Sequence, residues 1–492
     1  MNNKNHVGIE KIKTGIEGFD ILSKGGIPRN RTTLISGTPG SGKTIFSTEF
    51  LAKGILKSNQ TGVFVTFEEL PKNIKKNVRS FGWPIDKWEY NKKWAFIDGS
   101  PRNDKNVIYG GDFNLNGLIA RIKAKIKEIR ASRVVIDSLD TMMKRFPSEE
   151  VVRRDLLKLK RELEKLDVTT IITSERYEEF GNISRYDLEE FVSDNVLILR
   201  NVLNDETRRR TIEILKFRGT DHNKGQYSYT IRKDKGIVII SFIHDLKSSY
   251  YSSERSNSGI MELDHMLGGG FLSGSVILVS GSTGTGKTLI GISFIIGGLK
   301  ESEKCLLISF EENYKSILNK TKYWNYGLDK YEDSGQLEIL NIYPEIEGIE
   351  DHIVDIKEKI DTFKPNRIVI DSISALERIC DVRSFRESLI NLFIYIRTKN
   401  IIGLFTSTSP TFMGLTTITQ RHISTITDTI ILLRYIELYG EVKRGISVIK
   451  MRDSNHSKKI REFVITEKGL KIKEPFNNVS GVLKGDIIKG GK

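Results

Sequence analysis

GTPGSGKT at residues 37–44 and GSTGTGKT at residues 281–288 decide the reading of this chain. Each is a Gly-x-x-x-x-Gly-Lys-Thr loop: Gly37, Thr38, Pro39, Gly40, Ser41, Gly42, Lys43 and Thr44 in the first, and Gly281, Ser282, Thr283, Gly284, Thr285, Gly286, Lys287 and Thr288 in the second. The glycines let backbone N–H groups turn inward around phosphate oxygens at a helix N-terminus, where the helix dipole favours an anion. Lys43 and Lys287 are placed to neutralise the β- and γ-phosphates of ATP, and Thr44 and Thr288 to offer a hydroxyl to Mg2+. Short β-branched runs ending in glycine, RTTLISG (31–37) and SVILVSG (275–281), lead into the loops, and amphipathic segments follow them. Two matches, each between a strand and a helix, predict two nucleotide sites.

Working outward from the loops, the two halves repeat each other block by block. VTFEEL recurs as ISFEEN, RVVIDSL as RIVIDSI, SDNVLILR (193–200) as TDTIILLR (427–434), and KFRGTDHNKG as KMRDSNHSKK, always in the same order. The offset stays between about 233 and 244 residues, far beyond a solenoid period, so this is a duplicated domain. The Ser-rich, polar stretch KSSYYSSERSNS (247–258) has no apolar period and reads as a linker. The expected organisation is a first domain at 1–246, a second at 259–476 and a short tail at 477–492. GVFVTF, RVVID, TTIITS and NVLIL are compact apolar runs, and VVRRDLLKLKRELEKL spaces Val152, Leu156, Leu159, Leu163 and Leu166 at helical intervals. Strands alternating with helices predict an α/β fold of two tandem P-loop domains, each a doubly wound, mostly parallel sheet flanked by helices. In such sheets the ligand binds at the carboxyl ends of the strands.

Composition agrees and excludes other classes. The chain has 492 residues, 38% hydrophobic and 28% charged, which suits a soluble globular protein of two or more domains. No apolar run approaches the ~18 residues of a membrane span, and the start of the sequence has no signal-peptide core. The two cysteines, Cys305 and Cys380, and seven scattered histidines form no metal pattern, which suits a reducing cytoplasm. The formal net charge of +14 raises the question of nucleic acid. Runs such as Arg208, Arg209 and Arg210 follow Asp205 and Glu206, however, so the charge is partly balanced locally. Nucleic acid and membrane are not expected as partners.

Further residues carry chemistry. Asp137 and Asp371 each end an apolar strand, where a carboxylate can hold Mg2+ beside the loop threonine. The paired carboxylates Glu68 and Glu69, and Glu311 and Glu312, follow strands downstream of each loop. One of a pair can polarise an attacking water or hydroxyl while the other tunes it by like-charge repulsion. Lys216 and Arg218, with Lys450 and Arg452, lie late in their domains and could reach a neighbour's γ-phosphate as cationic fingers.

The runs SERYEEFGNISRYDLEEFVSDNVLILRNVL (174–203) and RHISTITDTIILLRYIELYGEVKRGISVIKMR (421–452) closely resemble the KaiC family of circadian clock ATPases, and the likeness extends from about residue 8 to residue 476. The resemblance implies two RecA-like domains in a double-ring homohexamer, with ATP and Mg2+ bound between protomers. It implies a slow ATPase in the first ring, which docks a KaiB-like partner, and a second ring that phosphorylates an adjacent Ser-Thr pair and later removes the phosphates. Here that pair is Ser424 and Thr425. Glu311 matches the base for the hydroxyl and Glu68 the hydrolytic glutamate. The first repeat has no Ser-Thr pair in EEFVSDN (189–195), as a hydrolase ring beside a kinase ring would require.

Some positions depart from the family pattern. Gln420 and Arg421 stand where the family has an acid and a small hydroxyl residue, and Arg421 could steady a phosphate and slow its removal. Asp453 replaces a glycine and Asn455 an aromatic. The sequence stops with EPFNNVSGVLKGDIIKGGK (474–492), so a KaiA-like activator acting on a longer tail is not expected. The expected function is a ring ATPase and autokinase in timing, stress or signalling. Its competitors are a RecA/RadA-like DNA-binding ATPase, betrayed by DNA-stimulated, salt-sensitive turnover, and a module that binds ATP without turning it over.

Overall fold

The computed structural model describes residues 9–99, 115–143, 149–183, 193–204, 207–240, 254–324, 326–408, 423–438, 440–467, 469–476, 479–480 and 488–489. The chain divides into two compact units, Met1–Ile243 and His244–Lys492. Among the described residues no helix is long and apolar enough to cross a membrane. Gln420, Arg421 and most of the expected linker and tail lie outside the described residues.

In the first unit the strand before the phosphate loop, Thr32–Gly37, is buried at every residue. Such a run cannot face water on either side and belongs at the centre of a sheet covered on both faces. It pairs in parallel with Thr169–Glu175 on one side and Asn195–Asn204 on the other. Arg133–Asp137, Gly62–Thr66 and Trp94–Asp98 continue the parallel pairing outward from Thr169–Glu175. Beyond Asn195–Asn204 the chain turns antiparallel through Thr207–Phe217, Gln226–Arg232 and Gly236–Ile239, completing nine strands.

The second unit repeats this order in its own nine-stranded sheet. Val276–Gly281 lies between Ile402–Thr408 and Thr429–Leu438, with Arg367–Asp371, Cys305–Ser309 and Leu337–Asn341 on the parallel side. Glu441–Met451, Arg461–Thr466 and Gly469–Pro475 form the antiparallel side. Even the irregularity recurs, since the first antiparallel pair breaks register at Val196/Leu197 in one half and at Ile430/Ile431 in the other. These are two tandem RecA-like domains.

The helices after the loops are Lys43–Ser58 and Lys287–Lys300. Gly42 and Gly286 cap them at φ 85° and 102°, a region a side chain strongly disfavours. The first buries Phe46, Phe50, Leu51 and Ile55, and the second is buried almost all round. Each fully buried Phe or Leu contributes roughly 1.5–3 kcal/mol.

A buried arginine locks each of these helices to the sheet. Arg133 opens the strand that ends at Asp137 and is 1% exposed. Its guanidinium donates to the Phe50 carbonyl (2.6 Å), the Lys13 carbonyl (2.7 Å) and Gln60 Oε1 (2.6 Å) and stacks on the Phe50 ring at 4.4 Å. Arg367 does the same in the second domain, reaching the carbonyls of Phe294 and Asn257 and the Phe294 ring, with Glu303 as its counter-ion. Gly54 and Gly298 make room, because a Cβ at either would stand 2.6 Å from the arginine Nε.

Glu49, on the first of these helices, is fully buried. Its Oε2 accepts from the Ile237 N–H (2.8 Å), and Lys53 lies 3.8 Å from Oε1. Burial pushes its pKa up to about 8, against the hydrogen bond from Ile237 and the charges of Lys53 and Lys57, with Glu17 adding to the rise. A carboxyl raised on folding favours the native state below its unfolded pKa, and the benefit is lost as pH climbs through about 8. Stability of the first domain is therefore expected to fall between about pH 4.5 and 8, and Glu49→Gln to flatten that fall and to gain on the order of 2–3 kcal/mol at pH 9. Trp83, Trp88 and Trp94 all lie in this domain, so denaturant titrations followed by tryptophan fluorescence at several pH values provide the check.

Candidate active sites

Each phosphate loop meets the strand-end aspartate predicted to stand beside it. In the first domain Thr44 Oγ1 donates to Asp137 Oδ2 at 2.9 Å, and in the second Thr288 Oγ1 donates to Asp371 Oδ2 at 2.7 Å. The other carboxylate oxygen accepts from a hydroxyl on the next strand, Thr173 or Thr406. Burial raises the pKa of both aspartates, and those hydroxyls oppose the rise. A buried carboxylate beside a hydroxyl, with a phosphate loop next to it, is an all-oxygen donor set of the kind Mg2+ takes.

The loop lysines point back over their own loops. Lys43 Nζ donates to the carbonyls of Gly37 (2.8 Å) and Thr38 (3.1 Å), and Lys287 Nζ to those of Gly281 (2.9 Å) and Ser282 (3.0 Å). Burial lowers the pKa of both ammonium groups, while nearby carboxylates, Glu175 foremost for Lys43 and Asp371 for Lys287, oppose the shift. A triphosphate would supply the negative charge that holds them protonated. Ser41 and Thr285 close the loops onto the carbonyls of Thr38 and Ser282, both at 2.7 Å.

The predicted glutamates stand at the mouths of these sites. Glu68 Oε1 accepts from Ser138 Oγ (3.0 Å) and Thr141 Oγ1 (2.5 Å). Glu311 Oε1 accepts from Ser372 Oγ (2.8 Å) and lies 3.7 Å from Arg378. The outer partners differ in charge: Glu69 is held by neutral Asn77 (3.0 Å), Glu312 by Lys320 (2.6 Å).

The predicted fingers are not brought to the loops of their own domains. Lys216 Nζ donates to the Ser193 carbonyl at 3.3 Å, and Arg218 pairs with Asp194 at 3.8 Å. Asp194 in turn accepts from the N–H of Thr32, the first residue of the loop strand. In the second domain Lys450 Nζ donates to the Thr427 carbonyl (2.6 Å), and Arg452 donates to the Thr425 carbonyl (2.5 Å) and pairs with Asp428 at 3.8 Å. Asp428 accepts from the N–H of Val276, where the loop strand begins (2.9 Å). Residues 423–425 form a single 3-10 turn beside these cations. The phosphate loop leaves the other end of the strand, roughly 16 Å away at about 3.3 Å per residue. The backbone of Ser424 and Thr425 thus lies with Lys450 and Arg452, and apart from Lys287.

Sequence reasoning missed the hydroxyls of Thr173 and Thr406, whose signal was the repeated Thr-Ser pair ending TTIITS and GLFTS. It also missed Tyr229, which donates to the Ser41 carbonyl from an antiparallel strand.

With the sites described, comparison with known proteins bears on what they do. The profile of the KaiC ATPase family matches the chain twice, over residues 12–242 and 256–477. The circadian clock protein KaiC3 of Synechocystis sp. is 51% identical over 97% of this chain and 94% of that protein. The circadian clock oscillator protein KaiC of Synechococcus elongatus is 48% identical over 98% of this chain and 93% of its own length. That of Thermostichus vulcanus is 46% identical over 97% and 92%. Nucleotide binding by both halves has a direct readout in stoichiometry. Equilibrium dialysis with ATP is expected to find two bound per chain, one after either Lys43→Ala or Lys287→Ala, and none when the two changes are combined.

Proposed function

The chain belongs to the KaiC family of ATPases, and from that premise we propose that its first domain hydrolyses ATP while its second transfers the γ-phosphoryl group to Ser424 or Thr425 of a neighbouring copy. The observation that carries this reading is the separation within the second domain, where the acceptor turn and the cations Lys450 and Arg452 lie at the opposite end of the loop strand from Lys287. A chain cannot serve its own phosphate loop across that distance, and a head-to-tail neighbour can. The first domain is a ring ATPase of the same build, at residues 1–246, joined through 247–258 to the kinase domain at 259–476. Repeated head-to-tail contacts close into a ring, and six subunits are the number the family resemblance implies.

In the transfer step a hydroxyl oxygen of Ser424 or Thr425 attacks the γ-phosphorus as the bond to the β–γ bridging oxygen breaks. The hydroxyl proton passes to the Glu311 carboxylate, and ADP leaves with the bridging oxygen. Ser372 fixes Glu311 at one oxygen for this role. Glu68, held by Ser138 and Thr141, polarises a water in the first domain, and Glu69 and Glu312 shape the field around their neighbours. Mg2+, held by Thr44 with Asp137 and by Thr288 with Asp371, would neutralise phosphate charge. Lys216, Arg218, Lys450 and Arg452 steady the transferring phosphate in the adjoining subunit.

The relatives' printed names support a role in timing. The family resemblance implies a KaiB-like partner on the first domain, and the two scattered cysteines suit the cytoplasm. A DNA strand-exchange ATPase is not favoured, because both halves match the KaiC profile. The test is phosphopeptide mass spectrometry after incubation with Mg-ATP. Phosphate on Ser424 or Thr425 is expected in the natural chain, reduced about 100-fold or more in Glu311→Gln and absent from Ser424→Ala/Thr425→Ala. ATP hydrolysis without any phosphopeptide would remove the kinase assignment.

A further inference from the structure

We propose that Glu179 is a positioning residue for ATP in the first domain: its carboxylate latches the phosphate loop, and the ion pair of buried Arg200 with half-buried Glu213 holds the latch closed. This rests on the reading of the first domain as a nucleotide site and adds to it a role for a residue of the 174–203 run, outside the phosphate loop and the paired glutamates.

The contacts are specific on both sides of the carboxylate. Thr38, second residue of the loop and 6% exposed, donates its hydroxyl to Glu179 Oε1 at 2.6 Å. Oε2 accepts from the backbone N–H of Asn201 at 3.0 Å. The Asn201 side chain reaches the loop a second time, since a Cβ at Gly40 would stand 3.1 Å from its Nδ2. Arg210 adds a bond to the Gly40 carbonyl at 3.2 Å. The loop is thereby tied at two points, the Thr38 hydroxyl and the Gly40 carbonyl.

A carboxylate so close to a triphosphate would repel it unless its charge is met. Arg200, 7% exposed, donates from Nε to the Glu179 carbonyl (3.1 Å) and from Nη1 to Glu213 Oε2 (2.7 Å). Arg176, 5% exposed, folds the segment by donating to the carbonyls of Gly181 and Asn182, and its own N–H reaches the Gly37 carbonyl at 3.1 Å. Arg176, Arg200 and Arg210 together outnumber the carboxylates Glu179 and Glu213, so the latch holds the loop without opposing the anion it prepares for.

The fold does not require this arrangement. In the second half the segment SPTFMG (409–414) has no carboxylate, and Ser447 occupies the register of Glu213, opposite Leu432 as Glu213 is opposite Ile198. Residues 409–414 therefore offer the second loop no carboxylate of this kind. Backbone contacts to phosphate are made equally in the ground and transition states, so losing their preorganisation weakens binding and leaves turnover of bound ATP unchanged.

The experiment is a double-mutant cycle in the full chain carrying Lys287→Ala, which leaves only the first site. The Kd for the fluorescent analogue mant-ATP and the turnover number for ATP are measured for the parent, Glu179→Ala, Thr38→Val and the double variant. Glu179→Ala is expected to weaken mant-ATP binding about 10-fold and Thr38→Val about 3–5-fold, with the double variant no weaker than Glu179→Ala and turnover of Glu179→Ala at saturating ATP within about 2-fold of the parent. Thr38→Val changes shape little, so it tests the latch even if Glu179→Ala folds poorly. Unchanged affinity in Thr38→Val, effects that multiply in the double variant, or a fall in turnover at constant affinity would each overturn the proposal. Absence of turnover in the parent would count against the hydrolase reading alone, because the affinities are read separately.

Discussion

Each nucleotide site depends on a guanidinium sealed from water. Arg133 begins a five-residue strand whose last residue is Asp137, and it grips the Phe50 carbonyl on the helix that starts at Lys43. One rigid side chain thus sets the height of the helix against the strand, and with it the 2.9 Å meeting of Thr44 and Asp137. A lysine could not replace it, because only the planar fork sends donors in three fixed directions. Burying such a charge costs several kcal/mol, offset here by two carbonyls, an amide and an aromatic face, and in the second domain by Glu303 in place of the amide.

On this shared frame the two halves diverge at the side chains around the reacting groups. Ala375 occupies the place that Thr141 holds beside Glu68, and Arg378 approaches Glu311 instead. The outer glutamate faces an amide in one half and an ammonium in the other. A water can be oriented by several neutral hydroxyls. In the proposed transfer the acceptor hydroxyl is already held by its own backbone, so its base needs less help with orientation. Duplication preserved the phosphate cradle and left the nucleophile's side of each site free to vary.

The parallel half of each sheet was legible in the sequence because buried central strands are continuous apolar runs, as in RVVID and SVILVSG. The loops and acids were legible because phosphate chemistry prescribes residue types at fixed spacing. Trp94–Asp98 and Leu337–Asn341 carried weaker signals, having half-exposed residues at sheet edges. The network around Glu179 could not be read at all. Its members lie at 38, 179, 200 and 213, and the registers of Thr169–Glu175 and Asn195–Asn204 against Thr32–Gly37, with that of Thr207–Phe217 against Asn195–Asn204, bring them together. Long-range pairing of this sort leaves no local period. The resemblance to the KaiC family, by contrast, rested on contiguous runs, and the matches over both halves agree with it.

The opposite placement of acceptor turn and phosphate loop on one strand has a genetic corollary. Under the intermolecular reading, a chain without Lys287 still lends its neighbour intact fingers and hydroxyls, and a chain without Arg452 still offers an intact cradle. Neither variant alone can assemble a complete site. Co-assembled, they form one wherever the sound cradle of one subunit meets the sound turn of the other, so two inactive alleles complement each other. Two changes carried on the same chain, by contrast, burden both of its neighbours' interfaces, and such a subunit poisons an assembly beyond its own share.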